Sequence, residues 1–189
     1  MSVRLLRWVV AASVTATVGP ARNVAGAEAA PPSVVVETEL GSFTIQLLPD
    51  VAPEHARRFA AAARNKAYDH TTFHRIVPGR VIQGGDPISK NPSRTADYGR
   101  GGLSRLQIEH SERPFVRGAV VAARCPSDPS ADGEQFFVLL ADAPELGGGH
   151  YTIFGEVASG MEAVDAIGAA GSDDGRPRRR IEMTVRPGP

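Results

Sequence analysis

The stretch Phe73-His74-Arg75-Ile76-Val77-Pro78-Gly79-Arg80-Val81-Ile82-Gln83-Gly84-Gly85-Asp86 constrains the fold of this 189-residue chain more than any other. Two short apolar runs joined by Pro-Gly make a hairpin pattern, and side chains two apart on a strand share a face. With His74 and Ile76 turned toward a core, Arg75 faces outward beside Val81 and Gln83. The hairpin then presents a guanidinium and a carboxamide together, with no nucleophile and no set of metal ligands. Such a face suits a reaction that needs only hydrogen bonds and shape.

The rest of the chain supplies a β framework around this hairpin. Ser33 to Thr38 and Ser42 to Leu48 are rich in Val, Ile and Thr and flank Glu39-Leu40-Gly41, a hairpin signature. A helix is expected from Ala52 to Ala67, with Asp50 as N-cap and Pro53 in its first turn. His55, Phe59, Ala62 and Ala63 fall on one face of it, suited to closing an open barrel end. Pro87 to Ser104 is polar and glycine-rich, and a surface loop without regular structure is expected there. Further short strands are expected at Leu106 to Glu109, Ala119 to Ala123, Gln135 to Leu140, Thr152 to Val157 and Ile181 to Val185, with a second helix at Ala163 to Ile167. Many short strands with two separated helices predict an all-β fold, a closed antiparallel eight-stranded barrel with two capping helices.

Length and a 42% hydrophobic content suit one globular domain. Basic and acidic residues balance at 21 each, so the molecule as a whole has no electrostatic reason to bind nucleic acid or anionic lipid. Arg4 and Arg7 precede an apolar stretch from Trp8 to Gly19 that is too short to span a bilayer, and Ala25-Gly26-Ala27 fits a cleavage site. Residues 1–27 are therefore expected to be a signal peptide, residues 28–32 a short linker, and residues 33–189 the folded domain. Export to a periplasmic or extracellular space follows, with no stable membrane insertion after cleavage. Cys125 is the single cysteine, which excludes an intramolecular disulfide and leaves stability to the core.

The hairpin block, Gly118-Ala119-Val120-Val121-Ala122-Ala123-Arg124, Asp128-Pro129, Gln135-Phe136-Phe137 and Tyr151-Thr152-Ile153-Phe154-Gly155 together resemble the landmarks of the cyclophilin family of peptidyl-prolyl isomerases, in the family's order, over roughly Ser33 to Val185. The resemblance implies acceleration of cis-trans rotation about X-Pro bonds without a cofactor. Its partners would be proline-containing segments of unfolded or folding proteins, met by a monomer. Arg75 and Gln83 take the catalytic positions in this reading, Arg75 as hydrogen-bond donor to the prolyl nitrogen. Arg80, Val81, Ala123, Arg124, Gln135, Phe137, Leu146 and Tyr151 match substrate-binding positions, and His74 is expected to be a satisfied core histidine.

Several positions depart from the family pattern, three of them at the pocket. Arg80 and Val81 stand where a pocket phenylalanine and methionine are usual, and Glu145 stands where many members carry tryptophan or histidine. Weak cyclosporin binding is expected on that ground. The alternative function is a weakly active or inactive module that grips proline segments as a holdase or scaffold, because Arg80 disturbs the pocket. Metal sites are not expected. Leu139 occupies the place of the closing glutamate of a calcium loop begun at Asp128, and His70 and His74 lack a third zinc ligand.

Overall fold

The computed structural model describes residues 32–102, 105–124 and 130–189, so the expected leader and Cys125 lie outside the described residues. Among the described residues ten strands follow in chain order: β1 (Ser33–Thr38), β2 (Gly41–Leu47), β3 (Thr71–Val77), β4 (Val81–Gly84), β5 (Arg105–Leu106), β6 (Ala119–Ala122), β7 (Ala131–Asp132), β8 (Phe136–Leu139), β9 (Ile153–Ser159) and β10 (Glu182–Pro187). Eight of them close into an antiparallel barrel in the order β1-β10-β3-β4-β8-β6-β9-β2. Closure leaves no free sheet edge. The remaining two, β5 and β7, pair only with each other.

Alternation sorts the side chains. Ile76, Ile82, Val138 and Val120 form one row across β3, β4, β8 and β6, all fully buried in the barrel interior. The two helices, α1 (Pro53–Arg64) and α2 (Met161–Ala169), close the ends. Phe59 of α1 meets Phe136 and Phe154, near the starts of β8 and β9, with ring centroids 5.2 and 5.1 Å away. At the other end α2 packs so closely on the start of β2 that a Cβ on Gly41 would approach Ala163 to 3.0 Å.

Three expectations need correction. The position preceding α1 is Ala52, and Asp50 does not cap the helix. Leu106 to Glu109 is not a barrel strand, because the segment instead carries Glu109 to the helix. The Glu109 carboxylate accepts the backbone N–H groups of Glu54 and His55, each at 3.0 Å, and contacts His55 Nδ1 at 2.5 Å. A residue more than fifty positions away thus satisfies donors that a local cap would usually satisfy. Finally, the region after β4 contains two short 3₁₀ helices, Pro87–Lys90 and Pro92–Asp97, where no regular structure is expected. Each starts at a proline and is capped by the side chain before it, Asp86 and Asn91 respectively.

Burial pushes the Glu109 carboxyl upward, but the N–H groups of Glu54 and His55 and the His55 ring outweigh it and hold its pKa below 4.5. Its stabilisation is therefore complete above the ordinary glutamate range and is lost as pH falls through the depressed folded value. Glu109→Ala is expected to cost about 2 kcal/mol, from a lost cap and two orphaned N–H groups. Thermal denaturation at neutral pH checks this through a Tm lower by about 4 to 8 °C. The difference from wild type should shrink below pH 4. An unchanged Tm at neutral pH would rule out the capping role.

Candidate active site

The outward-facing row of the same four strands builds the site. Arg75 pairs in register with Gln83, Gln83 with Phe137, and Phe137 with Val121. One step along, Val77, Val81 and Leu139 form a second outward row. An exposed sheet face is ordinarily polar, yet here Val121, Phe137 and Leu139 join Ala119, Ala123, Ala143 and Ile153 in an apolar cluster separate from the barrel core. Val81, Leu146 and Tyr151 pack partly buried against that cluster. Phe137 is 7% exposed, and its ring meets Tyr151 edge-on at 5.8 Å. The result is an apolar recess flanked by the Arg75 guanidinium.

The recess belongs to an open groove of about 1160 Å³. Arg75, Arg80, Val81, Gln83, Ala123, Arg124, Phe137, Leu146 and Tyr151 all line it. Gln135 is brought next to them but not into the groove wall. It is buried, and its amide accepts from Gln83 at 3.3 Å while donating to the Gly101 carbonyl at 2.7 Å. Gln135 therefore ties the outward row to the loop before β5.

Arg80 lines the mouth of the recess, but its guanidinium is ion-paired with Glu145 in solvent. Two of the positions that depart from the family pattern, Arg80 and Glu145, thus compensate each other. The arginine stem can cover apolar wall while its charge stays in water.

His74 differs from expectation. The β3–β4 register shifts between Phe73 and Arg75, so Phe73 takes the interior position and His74 sits at a bulge. Bulges re-aim side chains in this way. His74 lies against Tyr98 on the groove side, with ring centroids 6.4 Å apart, and its two buried ring nitrogens have no hydrogen-bond partner among the described residues. Burial lowers its pKa, which keeps the imidazole neutral at physiological pH.

Sequence reasoning missed Asp86 and Asp132, which organise the groove from below. The buried Asp86 carboxylate accepts from Ile88 N and Gly99 N, at 2.7 and 2.5 Å. Asp132 accepts from the backbone of Glu134 and Gln135 at 2.9 and 3.0 Å. Burial raises the Asp132 pKa, and those two N–H groups only partly offset it. The available signals were an Asp closing Gln-Gly-Gly-Asp and an Asp-Gly shortly before Gln135, each a turn-forming pattern.

This geometry coincides with a defined family. The family model described as "Cyclophilin type peptidyl-prolyl cis-trans isomerase/CLD" matches residues 33–186. Peptidyl-prolyl cis-trans isomerase CYP18-2 of Arabidopsis thaliana is 34% identical over 157 residues, covering 82% of this chain and 93% of the relative. A probable peptidyl-prolyl cis-trans isomerase of Brucella suis is 38% identical over 140 residues, 71% of this chain and 70% of that one. Among solved structures, a Cryptosporidium parvum cyclophilin type peptidyl-prolyl cis-trans isomerase, crystallised in the presence of the dipeptide Ala-Pro, superposes with a TM-score of 0.73 at 25% identity, covering 83% of this chain and 99% of that one. The chain belongs to the cyclophilin-type peptidyl-prolyl cis-trans isomerases, a family of isomerase enzymes with this closed eight-stranded barrel.

Proposed function

We propose that this protein accelerates X-Pro rotation in exported proteins as they fold, with Arg75 as the catalytic donor and Gln83 beside it. An X-Pro amide is planar by resonance, and peptide-bond rotation faces a barrier of roughly 18 to 20 kcal/mol. At the twisted midpoint the nitrogen lone pair is released from conjugation and becomes an acceptor. A donor aimed at that nitrogen binds the twisted state better than either planar form, and only such differential binding speeds the step. No proton is transferred, which agrees with a neutral, half-buried His74. The observation that carries the reading is the outward register row Arg75–Gln83–Phe137, which sets a guanidinium beside an apolar recess. Among the described residues that guanidinium has no carboxylate partner to compete with a substrate.

Export rests on the composition of residues 1–27. The Arg80–Glu145 pair favours turnover over the passive gripping of proline segments, since it draws the charge off the recess. Proline-peptide exchange followed by NMR line broadening tests the function, with acceleration expected. Binding without acceleration would favour the gripping module. Arg80→Phe is expected to raise kcat/KM by roughly threefold, because an aromatic wall adds apolar contact worth under about 1.5 kcal/mol. Unchanged turnover would show that the arginine stem already fills that wall.

A further inference from the structure

We infer that the groove selects prolines flanked by acidic side chains, with Arg100 as the specificity-determining residue; this rests on the proposed isomerase site and names its substrate class. The whole chain is electrically balanced, with 21 basic and 21 acidic residues. The groove is not. Seven arginines line it against two aspartates; four of the seven are paired, Arg80 with Glu145, Arg176 with Asp174, Arg179 with Glu39 and Arg180 with Glu182. Arginines elsewhere are largely neutralised by carboxylates, as Arg58 is by Glu134, Arg113 by Glu156 and Arg186 by Asp69. Among the described residues Arg75, Arg100 and Arg124 on the groove wall have no such partner. Arg124 is spread over the Tyr151 ring at 5.3 Å, and its buried Nε has no hydrogen-bond partner among the described residues.

Arg100 is exposed, yet the backbone around it is clamped from both sides. The Asp86 carboxylate accepts from Gly99 N at 2.5 Å and from Gly101 N at 3.4 Å. The Gln135 amide donates to the carbonyls of Gly101 and Gly99, at 2.7 and 3.3 Å. Gly101 has no room for a side chain, since a Cβ there would lie 1.9 Å from Asp86. The same Gln135 contacts Gln83 of the catalytic row, so the loop bearing Arg100 is held in fixed relation to the recess. A free cation on a rigid mount beside a peptide groove attracts a carboxylate on the peptide. It costs little ordering on binding and repels lysine and arginine flanks.

Peptides of one length, carrying Glu, Ala or Lys on either side of a central Ala-Pro, are titrated into the mature protein and followed by NMR for both affinity and exchange rate. Glu flanks on at least one side should bind about tenfold more tightly than Lys flanks, or about 1.4 kcal/mol. The preference should shrink between about 20 mM and about 500 mM salt, as screened charges require. Arg100→Glu should bring the Glu-to-Lys ratio to one or below, and Arg100→Lys should keep most of it. Equal affinity for Glu and Lys flanks, or an unchanged ratio in Arg100→Glu, would overturn the inference. So would a mixed-sequence oligonucleotide that displaces the Glu peptide as well as the peptide itself does. Acceleration of every peptide alike would sink the flank preference and leave the isomerase reading standing. Flank-selective binding without any acceleration would do the reverse.

Discussion

Arg75→Ala is expected to lower kcat/KM for an Ala-Pro peptide by about 10²- to 10³-fold, the usual loss when one preorganised donor to a transition state is removed. The fold should survive. Arg75 is exposed on the barrel's outer face, and among the described residues it makes no ion pair that the substitution would break. A surface change of this kind alters stability by about 0.5 kcal/mol or less. Arg75→Lys should recover little, since an ammonium on a flexible stem keeps the charge but loses the planar fork. Peptide exchange rates and melting curves on the same samples separate the two effects. Turnover retained within about threefold, under 1 kcal/mol of transition-state stabilisation, would remove Arg75 from the mechanism.

How much of this architecture was legible beforehand depended on the range of the interactions involved. Strand alternation is a local rule, so β1 is found at its expected residues and Phe136 and Phe137 separate correctly to the two faces of β8. The barrel followed from the number and shortness of such segments. Features that depend on contacts distant in sequence were not legible. Nothing near Ala52 indicates that its helix is capped by Glu109, and nothing in Phe73-His74-Arg75 announces a bulge. His74 therefore looked like an inward residue of a regular strand. Gln135 shows the same limit at the site. Its face on the strand was readable, but its burial beneath Gly99 to Gly101 depends on a loop whose path is set by Asp86. The Arg80–Glu145 pair, between residues 65 positions apart, could be suspected only as two separate departures from a family pattern.

The two neighbouring phenylalanines give the sharpest test of a barrel whose inside and outside do different work. Phe136 is fully buried, and its ring meets Phe59, Tyr68 and Phe73 edge-on at 5.2, 6.1 and 6.2 Å. Removing it opens a cavity where α1 closes the barrel, and Phe136→Ala should cost about 3 to 5 kcal/mol. That is a large share of the roughly 5 to 15 kcal/mol that holds a domain together, so Tm should fall by about 10 °C or more. Turnover per folded molecule should stay near wild type, because no Phe136 atom faces the groove. Phe137→Ala should behave in the opposite sense. Its ring is packed on the outer cluster with Tyr151 at its edge, where neighbours and water can move into the vacated space. The stability cost should therefore be the smaller of the two, while the recess loses the surface that would hold a proline ring. Burial of that size is worth about 1.5 to 3 kcal/mol, or roughly 10- to 100-fold in kcat/KM. Thermal melts with turnover measured well below both transitions distinguish the variants. A folded Phe136→Ala protein with lost turnover, or a Phe137→Ala protein with wild-type turnover, would mean that the outward face of β8 is not the proline-binding surface.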